Sequence, residues 1–183
     1  MPNYQLRIAF AALARPTFDL PLAQQVTGQA FDQLQQAGFE LLTADSLISD
    51  LDGVQAFLTR FGEPGAAGID LLIIFQATFA DSTLVTALVD GFNAYCAKPP
   101  VFLWAVPEPR TGGRLRLNSL CGINLAGHAL SQRQQGYEYA YAQPGDPAVL
   151  AKIQALAAAG MLRRRLSQAR MGVVGEHPAG MDS

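Results

Sequence analysis

The chain has 183 residues, 50% of them hydrophobic and 15% charged, and its 13 Lys and Arg against 15 Asp and Glu give a formal net charge of −2. A length of this order fits one domain that buries roughly 70% of its unfolded surface, which excludes disorder for most of the chain. Without a basic excess to neutralise phosphates, nucleic acid is excluded as the main partner.

The first pattern is a strand over Leu6–Phe10, followed by a polar loop holding Arg15, Pro16, Thr17, Phe18 and Asp19. From Pro21 to Ala37 apolar residues recur at Leu22, Val26, Ala30, Phe31 and Leu34, an amphipathic helical stripe that Gly38 ends. Phe39–Thr43 is the second strand. Ser49, Asp50 and Asp52 then open a second helix whose buried face is Val54, Phe57, Leu58 and Phe61. Asp70–Phe75 is apolar without alternation, which marks a strand covered on both faces and the centre of a sheet.

After the loop Gln76–Ala80, Asp81, Ser82 and Thr83 cap a third helix with Leu84, Leu88 and Phe92 inside. Val101–Val106 is a fourth, doubly buried strand, and Pro107–Gly113 is a loop of turn formers. A helix over Leu115–Ser131 follows, then a short strand over Tyr137–Tyr141. Asp146 caps a last helix with Pro147 at its first position, running to about Ser167. Its Arg163, Arg164 and Arg165 are expected to complement the negative helix end from a solvated surface. Arg170–Gly175 reads as one more strand.

Alternation of strands with helices specifies a parallel sheet with right-handed crossovers and helices on both faces. The expected fold is an α/β three-layer sandwich on an open sheet of about five strands, in flavodoxin-like order 2-1-3-4-5, with a Rossmann-type order as the alternative. The expected organisation is one domain over residues 1–171 and an exit segment over 172–183. The two cysteines, Cys96 and Cys121, are too few and too distant for a disulfide framework or a metal knuckle. They fit a reducing cytoplasm, as does a start without a basic segment leading into an apolar one. Apolar runs stop far short of the 18 or more residues of a membrane span.

Ligands of such sheets bind beyond the carboxyl ends of the strands, where the strand order reverses. That directs attention to Arg15, Thr17 and Asp19, to Gln76, Thr78 and Asp81, and to Glu108, Arg110, Thr111 and Arg114. A guanidinium and an amide suit a polyhydroxylated ligand or a carboxylate, since both give several directed hydrogen bonds. The alternative is structural: Arg15 pairs with Asp19 or Asp81, and Gln76 satisfies backbone groups. No GxGxxG follows the first strand and no GxxxxGK[ST] occurs, which disfavours nucleotides and FMN. Thr111–Arg114 offers a weak anion nest. Cys121 and His128, two helical turns apart and so about 10 Å from each other, cannot form a direct thiolate–imidazole pair. Buried packing is expected for Cys121, and a core or helix-packing place for His128. Glu176 and His177 have no third ligand at metal spacing.

Taken together, Leu13–Asp19, Asp70–Leu72 running into Gln76–Asp81, Trp104–Glu108 with Arg110–Gly113, and Asn118–Gly122 with Asn124–Leu130 resemble the N-terminal domain of bacterial L-fucose/L-arabinose isomerase-like sugar isomerases. The likeness extends through Val174–Pro178. It implies a flavodoxin-like first domain of a longer enzyme that interconverts an aldose and a ketose through an enediol. A divalent metal, usually manganese, there polarises the substrate oxygens, and its ligands belong to later domains. The resemblance also implies homotrimers or homohexamers in which this domain's loops complete a neighbouring subunit's monosaccharide pocket. By position it makes Arg15 and Gln76 hydroxyl-binding groups, with Thr17, Thr78, Trp104 and Arg110 as further candidates. Trp104 suits stacking on a sugar face, or core packing on its doubly buried strand. The alternative function is a stand-alone module that binds a small metabolite or mediates assembly without catalysis.

Overall fold

The computed structural model describes residues 5–62, 68–96, 98–109, 113–170, 172 and 175. Five strands, β1 (Arg7–Leu13), β2 (Glu40–Thr43), β3 (Leu71–Gln76), β4 (Val101–Ala105) and β5 (Glu138–Tyr141), form one parallel sheet in the order β2-β1-β3-β4-β5. Five helices alternate with them: α1 (Leu20–Gln36), α2 (Leu51–Thr59), α3 (Ser82–Tyr95), α4 (Ser119–Gln132) and α5 (Pro147–Gln168). The expected α/β three-layer sandwich and its flavodoxin-like order are therefore what the chain adopts.

The pleat sorts the core into two layers. Ala9, Ala11 and Leu13 of β1, Leu72 and Ile74 of β3, and Leu103 of β4 pack against α2, α3 and α4. The alternate residues Ile8, Phe10, Leu71, Ile73, Phe75, Phe102 and Trp104 pack against α1 and α5. Both faces of β3 are fully buried, hence its unbroken apolar run. In the first layer Phe57, Phe61 and Phe92 meet edge to face at 4.7–5.9 Å. In the second, Phe75 meets Trp104 at 5.2 Å and 83°. Each such ring contributes about 2–3 kcal/mol by burial.

Some expectations need correction. β1 runs on to Leu13, since Ala11, Ala12 and Leu13 have partners in Ile74, Phe75 and Gln76. Gln76 accordingly ends β3 instead of starting the loop. Asp81 precedes α3 but gives it no side-chain cap hydrogen bond. The strand expected at Arg170–Gly175 lies partly outside the described residues, and Arg170, Gly172 and Gly175 are in no strand.

Arg164 is not a solvated complement to its helix end. A Cβ on Gly160 would stand 1.7 Å from the carbonyl oxygen of Asp70, so only glycine lets α5 lie this close to the start of β3. One turn later on the same face, Arg164 Nε and Nη2 donate to Asp70 Oδ1 at 2.9 and 2.8 Å. The backbone N–H of Arg7 donates to Oδ2 at 2.9 Å, and the Asp70 carboxylate is fully buried. Arg163 donates to the carbonyl of Lys98.

Removing one partner of such a pair leaves a charge in the core. Arg164→Ala is expected to cost about 3 kcal/mol, the lower end of the range because Arg164 keeps some solvent contact, and to lower the urea midpoint. Adding Asp70→Asn should recover part of that loss; a midpoint unchanged by Arg164→Ala would remove the pair from the stability of the fold.

Candidate functional site

Three loops meet at the carboxyl edge of β1, β3 and β4, where β1 and β3 leave the sheet toward opposite faces. Backbone bonds lace them together. Ala77 and Thr78 N–H donate to the carbonyl of Leu13 at 3.0 and 3.3 Å, Phe79 N–H to Leu117 at 2.8 Å, and Asp19 N–H to Arg116 at 3.1 Å. The Thr78 hydroxyl accepts from Arg15 N–H at 2.8 Å and donates to the carbonyl of Phe79 at 2.9 Å. It is buried, and both of its bonds position the two loops.

Above this lacing lies Arg15. Its guanidinium stands 5.8 Å from the centre of the Phe79 ring and 3.5 Å from Asp81, with nearly half of the side chain exposed. The ring of Phe18 lies 6.2 Å from that of Phe79. The structural alternative in which Arg15 pairs with Asp81 is thus realised, but at a distance and exposure that make the pair weak.

Gln76 is wholly buried, and neither its Oε1 nor its Nε2 has a hydrogen-bond partner among the described residues. A Cβ on Gly122 would stand 2.8 Å from Oε1 and 3.2 Å from the Cα of Phe79, so α4 and the β3–α3 turn enclose the amide from two sides. The backbone carbonyl of Gln76, by contrast, accepts from Ser119 Oγ, which itself accepts from Val106 N–H at 3.0 Å.

Glu108 and Asp19 fasten the loop leading into α4. The Glu108 carboxylate accepts from the successive N–H groups of Arg116 (2.6 Å), Leu117 (3.2 Å) and Asn118 (2.5 Å), and Asn118 adopts φ 53°. Asp19 caps α1 through Leu22 N–H at 3.0 Å and accepts from Arg116 Nε at 2.8 Å and Nη2 at 2.7 Å. The Leu22 N–H first, and the Arg116 guanidinium second, hold its carboxyl below the ordinary range. Thr17, Phe18, Asp19, Arg114, Leu115 and Arg116 line a cleft of about 250 Å³ between these loops.

The structure therefore brings Arg15, Thr78 and Gln76 to one edge and Thr17 to the adjoining cleft. Trp104 is buried in the second core layer, its indole N–H donating to the carbonyl of Ala142 at 2.9 Å. Arg110, with Thr111 and Gly112 of the candidate nest, and Glu176 with His177, lie outside the described residues. Cys121 and His128 are both exposed, which corrects the buried places expected for them; the inner stripe of α4 is Gly122, Ile123, Ala126 and Leu130. Cys96 is half-buried, and that burial pushes its thiol above the ordinary value.

Phe79 and Arg116 were not singled out from sequence, because their roles depend on bonds between loops distant in the chain. Nor was a cleft of about 370 Å³ between α1 and the loop after β2, where the Thr27 hydroxyl is buried with no hydrogen-bond partner among the described residues. Among the described residues, no group of three or more metal-ligating side chains comes together, and no helix is long and apolar enough to cross a membrane.

The sequence model of the fucose/sulfoquinovose isomerase N-terminal domain matches residues 9–163. The chain is 32% identical over 176 residues to a sulfoquinovose isomerase of Alkalicoccus urumqiensis, covering 96% of this chain and 37% of that protein. It is 26% identical over 173 residues to the sulfoquinovose isomerase of Priestia aryabhattai, with 94% and 37% covered, and 29% over 182 residues to that of Clostridium sp. (strain MSTE9), with 98% and 38% covered. The chain thus spans little more than a third of the length of these relatives.

Two outcomes check this geometry. Glu108→Gln, which keeps one acceptor but loses the charge shared by three N–H groups, should speed amide exchange at Leu117 and Asn118; unchanged protection would remove Glu108 as the fastener. A thiol reagent near neutral pH should modify exposed Cys121 well before Cys96, whose raised thiol holds less thiolate; equal rates would contradict the burial described.

Proposed function

Because the chain belongs to the fucose/sulfoquinovose isomerase N-terminal domain family, we propose that it works as the substrate-binding N-terminal domain of an aldose–ketose isomerase whose sugar is sulfoquinovose, a hexose with a sulfonate on C6. The observation that carries this reading is the family match over residues 9–163, joined to relatives that share one name. The carboxyl-edge loops would supply contacts to a sugar held largely elsewhere, with self-association into a trimer or hexamer bringing the edge to a neighbouring copy's pocket.

Arg15 and Thr17 are the contact groups. An exposed pair at 3.5 Å is worth at most about 1 kcal/mol, so the Arg15 guanidinium exchanges Asp81 for sugar oxygens at little cost. Its fork gives two directed bonds to neighbouring hydroxyls. Thr17 adds an exposed hydroxyl that both donates and accepts. Thr78 positions them, since both its bonds are made within the protein. Gln76 supports the reading in another way: an amide buried without partners costs about 1–3 kcal/mol, an expense that a ligand or ordered water reaching it would offset.

The described residues do not gather a metal site. Manganese or a similar divalent ion, which would make the C–H beside the carbonyl acidic, is proposed as held outside this chain.

The test is turnover by the full-length protein carrying this chain, supplied with manganese, following sulfoquinovose and its ketose by NMR. Conversion is expected, with Arg15→Ala lowering kcat/KM about ten- to hundredfold. No conversion of sulfoquinovose would overturn the sulfoquinovose reading, and no conversion of any aldose the isomerase reading with it; full activity of Arg15→Ala would remove Arg15 from the site.

A further inference from the structure

A sulfonate stays ionised at every physiological pH, so a cation that is equally permanent recognises it over that whole range. Arginine meets that requirement, with a planar fork matched to paired oxygens. The cleft lined by Thr17, Phe18, Asp19, Arg114, Leu115 and Arg116 holds two guanidiniums against one carboxylate. The carboxylate is already committed: Asp19 accepts from Leu22 N–H and from both Nε and Nη2 of Arg116. The nearby Glu108 keeps its charge, but its oxygens are turned to the N–H groups of Arg116, Leu117 and Asn118. What is left over is Arg114, exposed on the cleft wall with no hydrogen-bond or ion-pair partner among the described residues.

We propose that this cleft is the sulfonate subsite, with Arg114 the specificity-determining residue and the Thr17 hydroxyl a second donor; this rests on the sulfoquinovose reading above. The chemistry of the walls fits a CH2–SO3− group. Phe18 and Leu115 offer apolar surface to the methylene, and Arg114 and Thr17 offer donors to the oxygens. At about 250 Å³ the cleft has room for a sulfonate and its carbon. Its walls are fixed relative to each other, because Asp19 N–H donates to the carbonyl of Arg116. Thr17 of its wall is two residues from Arg15 on the same loop, and the subsite reading puts the ligand's charged end at Arg114 and its hydroxyls toward Arg15.

The test compares sulfoquinovose with 6-deoxyglucose, the same ring without the sulfonate, as substrates of the full-length protein. The wild-type protein should favour sulfoquinovose in kcat/KM. In Arg114→Gln the ratio of the two kcat/KM values should fall on the order of ten- to hundredfold, as expected for a lost hydrogen bond to a charged group. Arg114→Lys, keeping the charge without the fork, should recover part of the ratio, and Thr17→Val should lower it less than Arg114→Gln. Equal melting temperatures of these variants would exclude unfolding as the cause. An unchanged ratio in Arg114→Gln, with both sugars still converted, overturns this subsite and leaves the isomerase reading standing. Failure of the wild-type protein to convert either sugar, or any other aldose, overturns both.

Discussion

The carbonyl oxygen of Leu13 is the point on which the carboxyl edge depends. As the last residue of β1 it accepts from both Ala77 and Thr78, the first two residues beyond β3. A strand that ends inside a protein leaves backbone groups that must find partners away from water. Here they find them in the neighbouring loop, and the chain is drawn into a turn that delivers Phe79 to Leu117 and the Thr78 hydroxyl to Arg15. The loops that end at this edge are therefore parts of the scaffold, and Arg15 projects from a fixed base.

Charge is distributed by the same economy. At the amino edge of the sheet Asp70 is buried and matched by Arg164 and the Arg7 N–H. At the carboxyl edge Glu108 and Asp19 are spent on N–H groups and on Arg116. The carboxylates keep their charge, but their oxygens are turned to these partners, and Arg114 is left on the cleft wall as the guanidinium that neither of them engages. The net charge of the chain says nothing about an edge of this kind.

What the sequence made legible was local. Asp50 and Asp146 each cap the helix expected of them, since a cap depends on residues two or three positions away. The apolar runs of β3 and β4 announced strands covered on both faces, and with the alternation of elements they led to a parallel sheet with helices on both sides; its strand order, which periodicity does not specify, stood between two alternatives. The misread residues are those whose surroundings come from afar. Arg164 looked like a helix-end cation because nothing near it in the chain shows that Gly160 brings α5 onto Asp70. Cys121 looked buried because the inner stripe of α4, on Gly122 and Ile123, is set by contact with the sheet. The candidate site was legible as a set of loops, while the fate of each side chain in it depended on bonds between them.

Gln76 and Trp104 show how the pleat decides such fates. In the β3–β4 register Phe75 pairs with Trp104 and Gln76 with Ala105. Successive residues of a strand point to opposite faces, so Trp104 goes with Phe75 into the layer of α1 and α5. Gln76 goes the other way, under Gly122 of α4. A crevice that reaches the Gln76 amide therefore lies on the α4 side of the sheet, and the indole lies behind it. Bringing both to one ligand would need a one-residue slip of β4 against β3, which would turn every buried side chain of that strand to the wrong layer. Of the aromatic groups near this edge, it is Phe79 that stands beside Arg15, with Phe18 packed against it.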